Sequence, residues 1–195
     1  MKKIALFASG TGSNAVKIVE YLRQHYPEPV DFVLLSNKAD APVLAKMQAL
    51  GVETYCFNRA DFYQTTVVAQ YLGVFSPDLI VLAGFLWLVP TSLTEQYPQQ
   101  IVNLHPSLLP KFGGKGMYGA KVHEAVLQAG ETESGITIHY VNEHYDQGQI
   151  ILQAKCPVNQ QDTIETLSKK VQVLEHTHLP ETIARLLAHP DRVQQ

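Results

Sequence analysis

The chain has 195 residues, a formal net charge of −3, 46% hydrophobic residues and 17% charged ones. That length suits one domain with a real core, and the composition is that of an ordinary soluble globular protein. No basic run exceeds Lys2-Lys3 or Lys169-Lys170, which argues against a nucleic-acid surface. No apolar stretch nears the roughly 20 residues needed to cross a bilayer. The opening Ile4-Ala5-Leu6-Phe7 is too short for the apolar region of a signal peptide.

In chain order, residues 4–8 read as a strand, and Ala15, Ile18, Val19 and Leu22 then follow helical spacing. Residues 30–35 are a second strand. A helix over 42–50 ends at Gly51, and 52–57 is a third strand. The spacing predicts a single helix over 61–75 with Asp61 as its N-cap, then strands at 79–82 and 101–104. Strands alternating with helices imply an α/β fold with a doubly wound, mostly parallel sheet and helices on both faces.

Beyond about residue 100 the pattern changes. A glycine-rich loop at 111–119 leads into a helix over 120–129. Strands at 136–141 and 149–158, joined by the polar loop 142–148, imply an antiparallel hairpin at the sheet edge. A last helix over 163–187 sets Ile164, Leu167, Val171 and Leu174 on one side, and Pro180 is expected to kink or split it. Cys56 and Cys156 each fall in a predicted strand and read as small buried hydrophobes. A reduced, cytoplasmic setting fits them. Residues 1–195 read as one domain.

Ser9-Gly10-Thr11-Gly12-Ser13-Asn14 joins the first strand to the first helix. Free helix N–H groups and the macrodipole make such a turn an anion site, and glycines let a phosphate approach the backbone. Gly10-x-Gly12-x-x-Ala15 also fits the relaxed dinucleotide fingerprint, which expects an acidic residue about 20 positions on. Here the second strand ends in Leu35-Ser36-Asn37-Lys38, and the nearest acid is Asp40. A phosphate monoester is therefore better supported than a nicotinamide cofactor. A tight turn without a ligand is the remaining reading.

The run Asn103-Leu104-His105-Pro106-Ser107-Leu108-Leu109-Pro110 puts an amide and an imidazole two residues apart at a strand end. Alternation sets Asn103 and His105 on one face, and the two prolines stop the strand and stiffen the segment after it. The loop Asn142-Glu143-His144-Tyr145-Asp146-Gln147-Gly148 offers a third member, preferably Asp146, and His139 is a further titratable group. A carboxylate beside imidazolium favours the charged ring. Such a trio suits an amine attacking an amide-like carbonyl. Asn103 and protonated His105 would hold the tetrahedral oxyanion, and a His–Asp pair would relay protons between the two nitrogens. With no GxSxG and no activated cysteine, direct transfer is simpler than an acyl-enzyme. A plain turn role for His105 and for Asp146 is the bland alternative.

Taken together, these stretches resemble the phosphoribosylglycinamide formyltransferases, folate-dependent enzymes of purine synthesis also called glycinamide ribonucleotide transformylases. The likeness covers nearly the whole chain. Besides the two runs above it rests on Ser36-Asn37-Lys38-Ala39-Asp40-Ala41, Leu82-Ala83-Gly84-Phe85, Asp146-Gln147-Gly148, Ile151-Leu152-Gln153-Ala154 and Gln172-Val173-Leu174-Glu175-His176.

The resemblance implies a Rossmann-like formyltransferase fold. It implies transfer of the formyl group of 10-formyltetrahydrofolate, a co-substrate, to the amino group of 5'-phosphoribosylglycinamide, with no metal. Asn103, His105 and Asp146 would be the catalytic trio. Gly12, Ser13 and Asn14 would hold the ribonucleotide phosphate, and Glu175, with Gln172 nearby, would face its ribose or glycinamide end. Leu86, Trp87, Leu88 and Val89 would line the folate pocket beside Asn103. The loop residues Asn142, Glu143, His144 and Tyr145 would close it, and Arg59 would contact the folate. The partners implied are two small molecules, with no nucleic acid and no membrane, on a monomer or homodimer.

Three departures stand out. Trp87 occupies a position where the family often has arginine. The loop 113–119 is longer than in the commonest form. His144-Tyr145 replaces a smaller acidic–aliphatic pair. The neighbouring readings are a tRNA formyltransferase or a formylfolate deformylase, whose usual extra domain this length leaves no room for. From another class comes a nucleotide-binding module or dinucleotide oxidoreductase, resting on Gly10-x-Gly12-x-x-Ala15 alone.

Overall fold

Strand β1 (Lys2–Phe7) is apolar from Ile4 onward, so both of its faces need cover. Alternation sends Ile4 and Leu6 to one apolar cluster and Ala5 and Phe7 to the other. The computed structural model describes residues 1–189. The other strands are β2 (Val30–Ser36), β3 (Glu53–Cys56), β4 (Leu79–Leu82), β5 (Ile101–His105), β6 (Glu133–Tyr140) and β7 (Ile150–Pro157). They form one sheet in the order β3-β2-β1-β4-β5-β6-β7. The first five pair in parallel, while β6 runs antiparallel to both β5 and β7.

One face is covered by α1 (Ser13–His25), α2 (Pro42–Ala49), α6 (Ala120–Gln128) and α7 (Ile164–Ala188), through Ile18, Met47, Val126 and Val171 among others. The opposite face is covered by α3 (Arg59–Tyr63), α4 (Val67–Phe75) and α5 (Thr91–Gln96), through Phe62, Leu72 and Leu93. Because β1 lies between β2 and β4, the chain first winds outward to β3 and then restarts on the other side. That reversal opens a crevice at the carboxyl ends of β1 and β4, the place where open α/β sheets take ligands. Among the described residues, no helix is long and apolar enough to cross a membrane.

Several expectations need correction. The predicted helix over 61–75 is two helices, α3 and α4. The cap is Asn58, whose Oδ1 accepts from the N–H groups of Ala60 and Asp61. Asp61 sits at the third helical position and accepts from the Asn58 N–H, a reciprocal capping box that starts the helix earlier. Helix α5 has no counterpart in the predicted series. Pro180 does not split α7, which is one element of 25 residues. Leu179, Pro180, Thr182 and Ile183 are all buried there, and this packing outweighs the roughly 3 kcal/mol that an interior proline costs.

The cysteines are also not buried. Cys56 is exposed and Cys156 half-buried, because β3 and β7 are the two edges of the sheet.

Candidate active site

The turn after β1 is shaped by α2. Val43 N–H donates to Gly10 O at 3.2 Å, and Gly12 stands at φ 67° where a Cβ would collide with the Val43 side chain. Glycine is needed there on both counts. The turn delivers Ser13 as the first residue of α1, with its backbone N–H groups free of any side-chain cap. Asn14, one position on, donates through Nδ2 to Glu175 Oε2 on α7 at 2.9 Å. Burial lifts the Glu175 carboxyl above its ordinary value, partly opposed by that bond. Asn14 Oδ1 is buried with no partner among the described residues.

The same turn is tied to the end of β4. Ser9 N–H donates to Gly84 O at 3.1 Å, and Leu86 N–H donates to Ser9 Oγ at 3.2 Å. Leu86, Trp87, Leu88 and Val89 come directly after. Trp87 packs against Phe57, Phe62 and Tyr63 with centroids 5.8–6.1 Å away.

Asn103 and His105 leave the end of β5 on one side, as alternation requires, while Val102 and Leu104 enter the core. Antiparallel pairing sets His139 opposite Asn103 and Thr137 opposite His105. Asp146 closes the group from the loop after β6 at φ 56°. A Cβ at Gly148 would collide with Tyr140 O, so the loop hugs the strand it leaves.

The resulting contacts tie these groups together. His105 Nε2 lies 2.8 Å from Phe112 O and its Nδ1 lies 3.4 Å from Asp146 Oδ2. Both partners are acceptors, so each can take a proton that the ring carries on that side. His139 Nδ1 lies 2.7 Å from Tyr140 O, and its Nε2 lies 3.1 Å from Asn103 Nδ2 and 3.6 Å from Asp146 Oδ1. Asn103 Nδ2 also donates to Asp146 Oδ1 at 3.4 Å, and Gly114 N–H donates to Asp146 Oδ2 at 2.8 Å. Burial raises the Asp146 carboxyl, but its bonds from His105 and then His139, the charge of His105 and the Gly114 N–H outweigh that. The carboxyl ends well below the ordinary carboxylate range.

One cavity of about 560 Å³ joins these parts. Its wall includes Gly12, Ser13, Asn14, Gln172 and Glu175 at the turn, Asn103, His105 and Asp146 at the centre, and Leu86, Trp87, Leu88 and Val89 with His144 and Tyr145 beyond. Three expected residues are not on that wall. The Arg59 guanidinium lies 4.9 Å from the Tyr63 ring centroid and 5.7 Å from that of Trp87. Asn142 Oδ1 accepts from His144 N–H at 3.0 Å and shapes the loop. Glu143 is exposed, 3.8 Å from His144.

Sequence reasoning names His139 only as a further titratable group and assigns no role to His123 or Lys38; all three are on the wall. That His139 meets Asn103 follows only from the β5–β6 pairing, which the hairpin pattern alone does not reveal. His123 is buried with Nδ1 unpartnered among the described residues, and burial lowers its pKa.

Comparison with known proteins fits this geometry. The family model described as formyl transferase matches residues 2–183. The chain is 39% identical over 190 residues to the chloroplastic phosphoribosylglycinamide formyltransferase of Arabidopsis thaliana, covering 95% of this chain and 65% of that protein. It is 35% identical to the phosphoribosylglycinamide formyltransferase of Bacillus subtilis (strain 168), covering 98% of both. The chain thus spans just under two thirds of the chloroplastic relative and nearly all of the bacterial one. The crystal structure of glycinamide ribonucleotide transformylase 1 from Symbiobacterium toebii superposes with a TM-score of 0.86 at 34% identity, over 97% of this chain and 89% of that one. The chain therefore belongs to the formyl transferase family.

Proposed function

We propose that this protein transfers the formyl group of 10-formyltetrahydrofolate to the amino group of 5'-phosphoribosylglycinamide. The products are formylglycinamide ribonucleotide and tetrahydrofolate, in de novo purine biosynthesis. Residues 1–195 act as one formyltransferase domain, with the nucleotide held mainly by the N-terminal half and the chemistry carried by the C-terminal half. The partners are the two small molecules, not nucleic acid or membrane, and the protein works in the cytoplasm as a monomer or homodimer.

The observation that carries this reading is the single cavity that joins an anion-binding turn, the Asn103–His105–Asp146 group and an apolar wall. The ribonucleotide phosphate meets the N–H groups of Gly12, Ser13 and Asn14, where the helix dipole favours negative charge. Glu175 and Gln172 take the ribose and glycinamide end. The pterin lies against Leu86, Trp87, Leu88 and Val89 under the loop from Asn142 to Tyr145, and Arg59 reaches the folate tail from above Trp87.

The substrate amine attacks the formyl carbon, and the carbonyl oxygen becomes an oxyanion. The Asn103 amide and the Nδ1–H of imidazolium His105, which gives up its longer 3.4 Å contact with Asp146 while Nε2 stays on Phe112 O, donate to it. Both Asn103 N–H bonds are engaged by His139 and Asp146 in the free site. The 3.4 Å bond to Asp146 is the longer and yields first. The His105–Asp146 pair relays, through water, the proton that the amine sheds to the departing folate nitrogen.

The test is consumption of 10-formyltetrahydrofolate by purified protein with and without the ribonucleotide. Turnover only in its presence is expected, and no turnover with both substrates would overturn the reading. Hydrolysis of the folate without the acceptor would mark a deformylase.

A further inference from the structure

Thr137 is fully buried in β6 and faces His105 directly across the β5–β6 pair. Its hydroxyl donates to Ser107 O at 2.7 Å and accepts from Leu109 N–H at 3.0 Å and Gln153 Nε2 at 2.9 Å. One donor and two acceptor sites are all that a hydroxyl has, so this one is saturated. Gln153 Nε2 also reaches Leu109 O at 2.9 Å, and Ser107 Oγ donates to Lys111 O at 2.7 Å. The chain of bonds thus runs from β6 through 107, 109 and 111 to the neighbour of Phe112.

Phe112 O is the partner of His105 Nε2, and two residues later Gly114 N–H holds Asp146. The segment 107–114 therefore sets both ends of the His105–Asp146 pair, yet none of its own side chains touches either residue's polar atoms through a hydrogen bond. What holds it at its start is the Thr137 hydroxyl.

We propose that Thr137 is a positioning residue for His105. Its hydroxyl pins the segment after β5 so that Phe112 O meets the imidazole and keeps the ring aimed into the cavity. This rests on the role given to His105 above. Without the hydroxyl, Leu109 N–H and Ser107 O lose their buried partner and the segment shifts. A displacement near 1 Å at a reacting group is enough to lower the rate by about 100-fold.

The experiment compares wild type with Thr137→Val, Thr137→Cys and Thr137→Ser by steady-state kinetics and by nitrogen-15 NMR of the histidine rings, with folding checked by circular dichroism. In wild type the Nε2–H proton of His105 gives a slowly exchanging, downfield signal. Valine and cysteine lose that signal and lower kcat by about 10- to 100-fold, with little change in either KM, while serine restores both. Cysteine keeps the serine volume, so it decides the matter should the valine variant not fold. A folded valine or cysteine variant that retains the signal and the wild-type kcat overturns the proposal. The NMR comparison does not depend on turnover, so inactivity of the wild type with both substrates would instead count against the function proposed above.

Discussion

Asn103 and His139 face each other across the β5–β6 pair, with Asn103 Nδ2 3.1 Å from His139 Nε2. His139, its other nitrogen against Tyr140 O, thus holds the amide that is proposed to meet the oxyanion. Asn103→Asp places a second carboxylate beside Asp146 and removes the donors. It is expected to lower kcat by about 10²–10³, the usual effect of losing one oxyanion donor, with a smaller change in KM. Steady-state kinetics with both substrates varied checks this.

Asp146→Asn keeps the shape but removes the charge facing His105 and His139. A loss of about 10²–10⁴ in kcat is expected for a group that moves protons. The stability effect has a defined sign. A carboxyl held below its ordinary value of 3.8 stabilises the fold above that pH and loses the contribution as pH falls through its folded value. Thermal unfolding of the two proteins should differ at neutral pH and converge in strong acid.

Glu175 works in the opposite sense. Burial raises its carboxyl above the ordinary 4.5, so the fold is penalised for its charge as pH rises past that value. Glu175→Gln should melt higher than wild type at pH 7, with the difference vanishing below about pH 4. It should also raise KM for the ribonucleotide at least about tenfold, as the loss of a charged hydrogen bond of about 1.5–3 kcal/mol implies. A more stable but weaker-binding variant is the signature of a site strained for function.

Gly12→Ala meets two obstacles, the left-handed backbone and the Val43 side chain. The backbone alone costs about 1–2 kcal/mol, and each kcal/mol lowers Tm by about 2–4 °C at this size. The variant should therefore melt at least a few degrees lower and show a raised KM for the ribonucleotide, measured by calorimetry and kinetics.

Much of this site is legible in the chain. The alternation of Val102 and Leu104 against Asn103 and His105 is a period-two signal, and it sets both polar groups on one side. The glycines at 10 and 12 likewise announce a turn that must come close to something. Other features are illegible because they depend on pairing at a distance. Nothing local to His139 says that β6 lies beside β5, and nothing local to Glu175 says that it meets Asn14 across 161 residues. The helix start at Arg59 is misread because Asn58 and Asp61 cap each other, while the reading by residue type takes Asp61 alone as the cap. The cysteines are misplaced because strand pattern does not distinguish an edge from the centre.

Arg59→Ala tests the folate end. The guanidinium is exposed and rests on Tyr63 and Trp87, where such contacts are worth about 0.5–1 kcal/mol. KM for 10-formyltetrahydrofolate should rise only about two- to fivefold and KM for the ribonucleotide should not move. Trp87→Ala, which removes part of the cavity wall itself, should raise the folate KM further.

His105, held between Phe112 O and Asp146, is proposed to drive the transfer as an imidazolium. The most direct test of that role is single-turnover formyl transfer by wild type and His105→Ala with both substrates saturating. The mechanism predicts a rate lower by about 10²–10⁴ in the variant, with both substrates still bound. A His105→Ala protein that transfers formyl at the wild-type rate would contradict it.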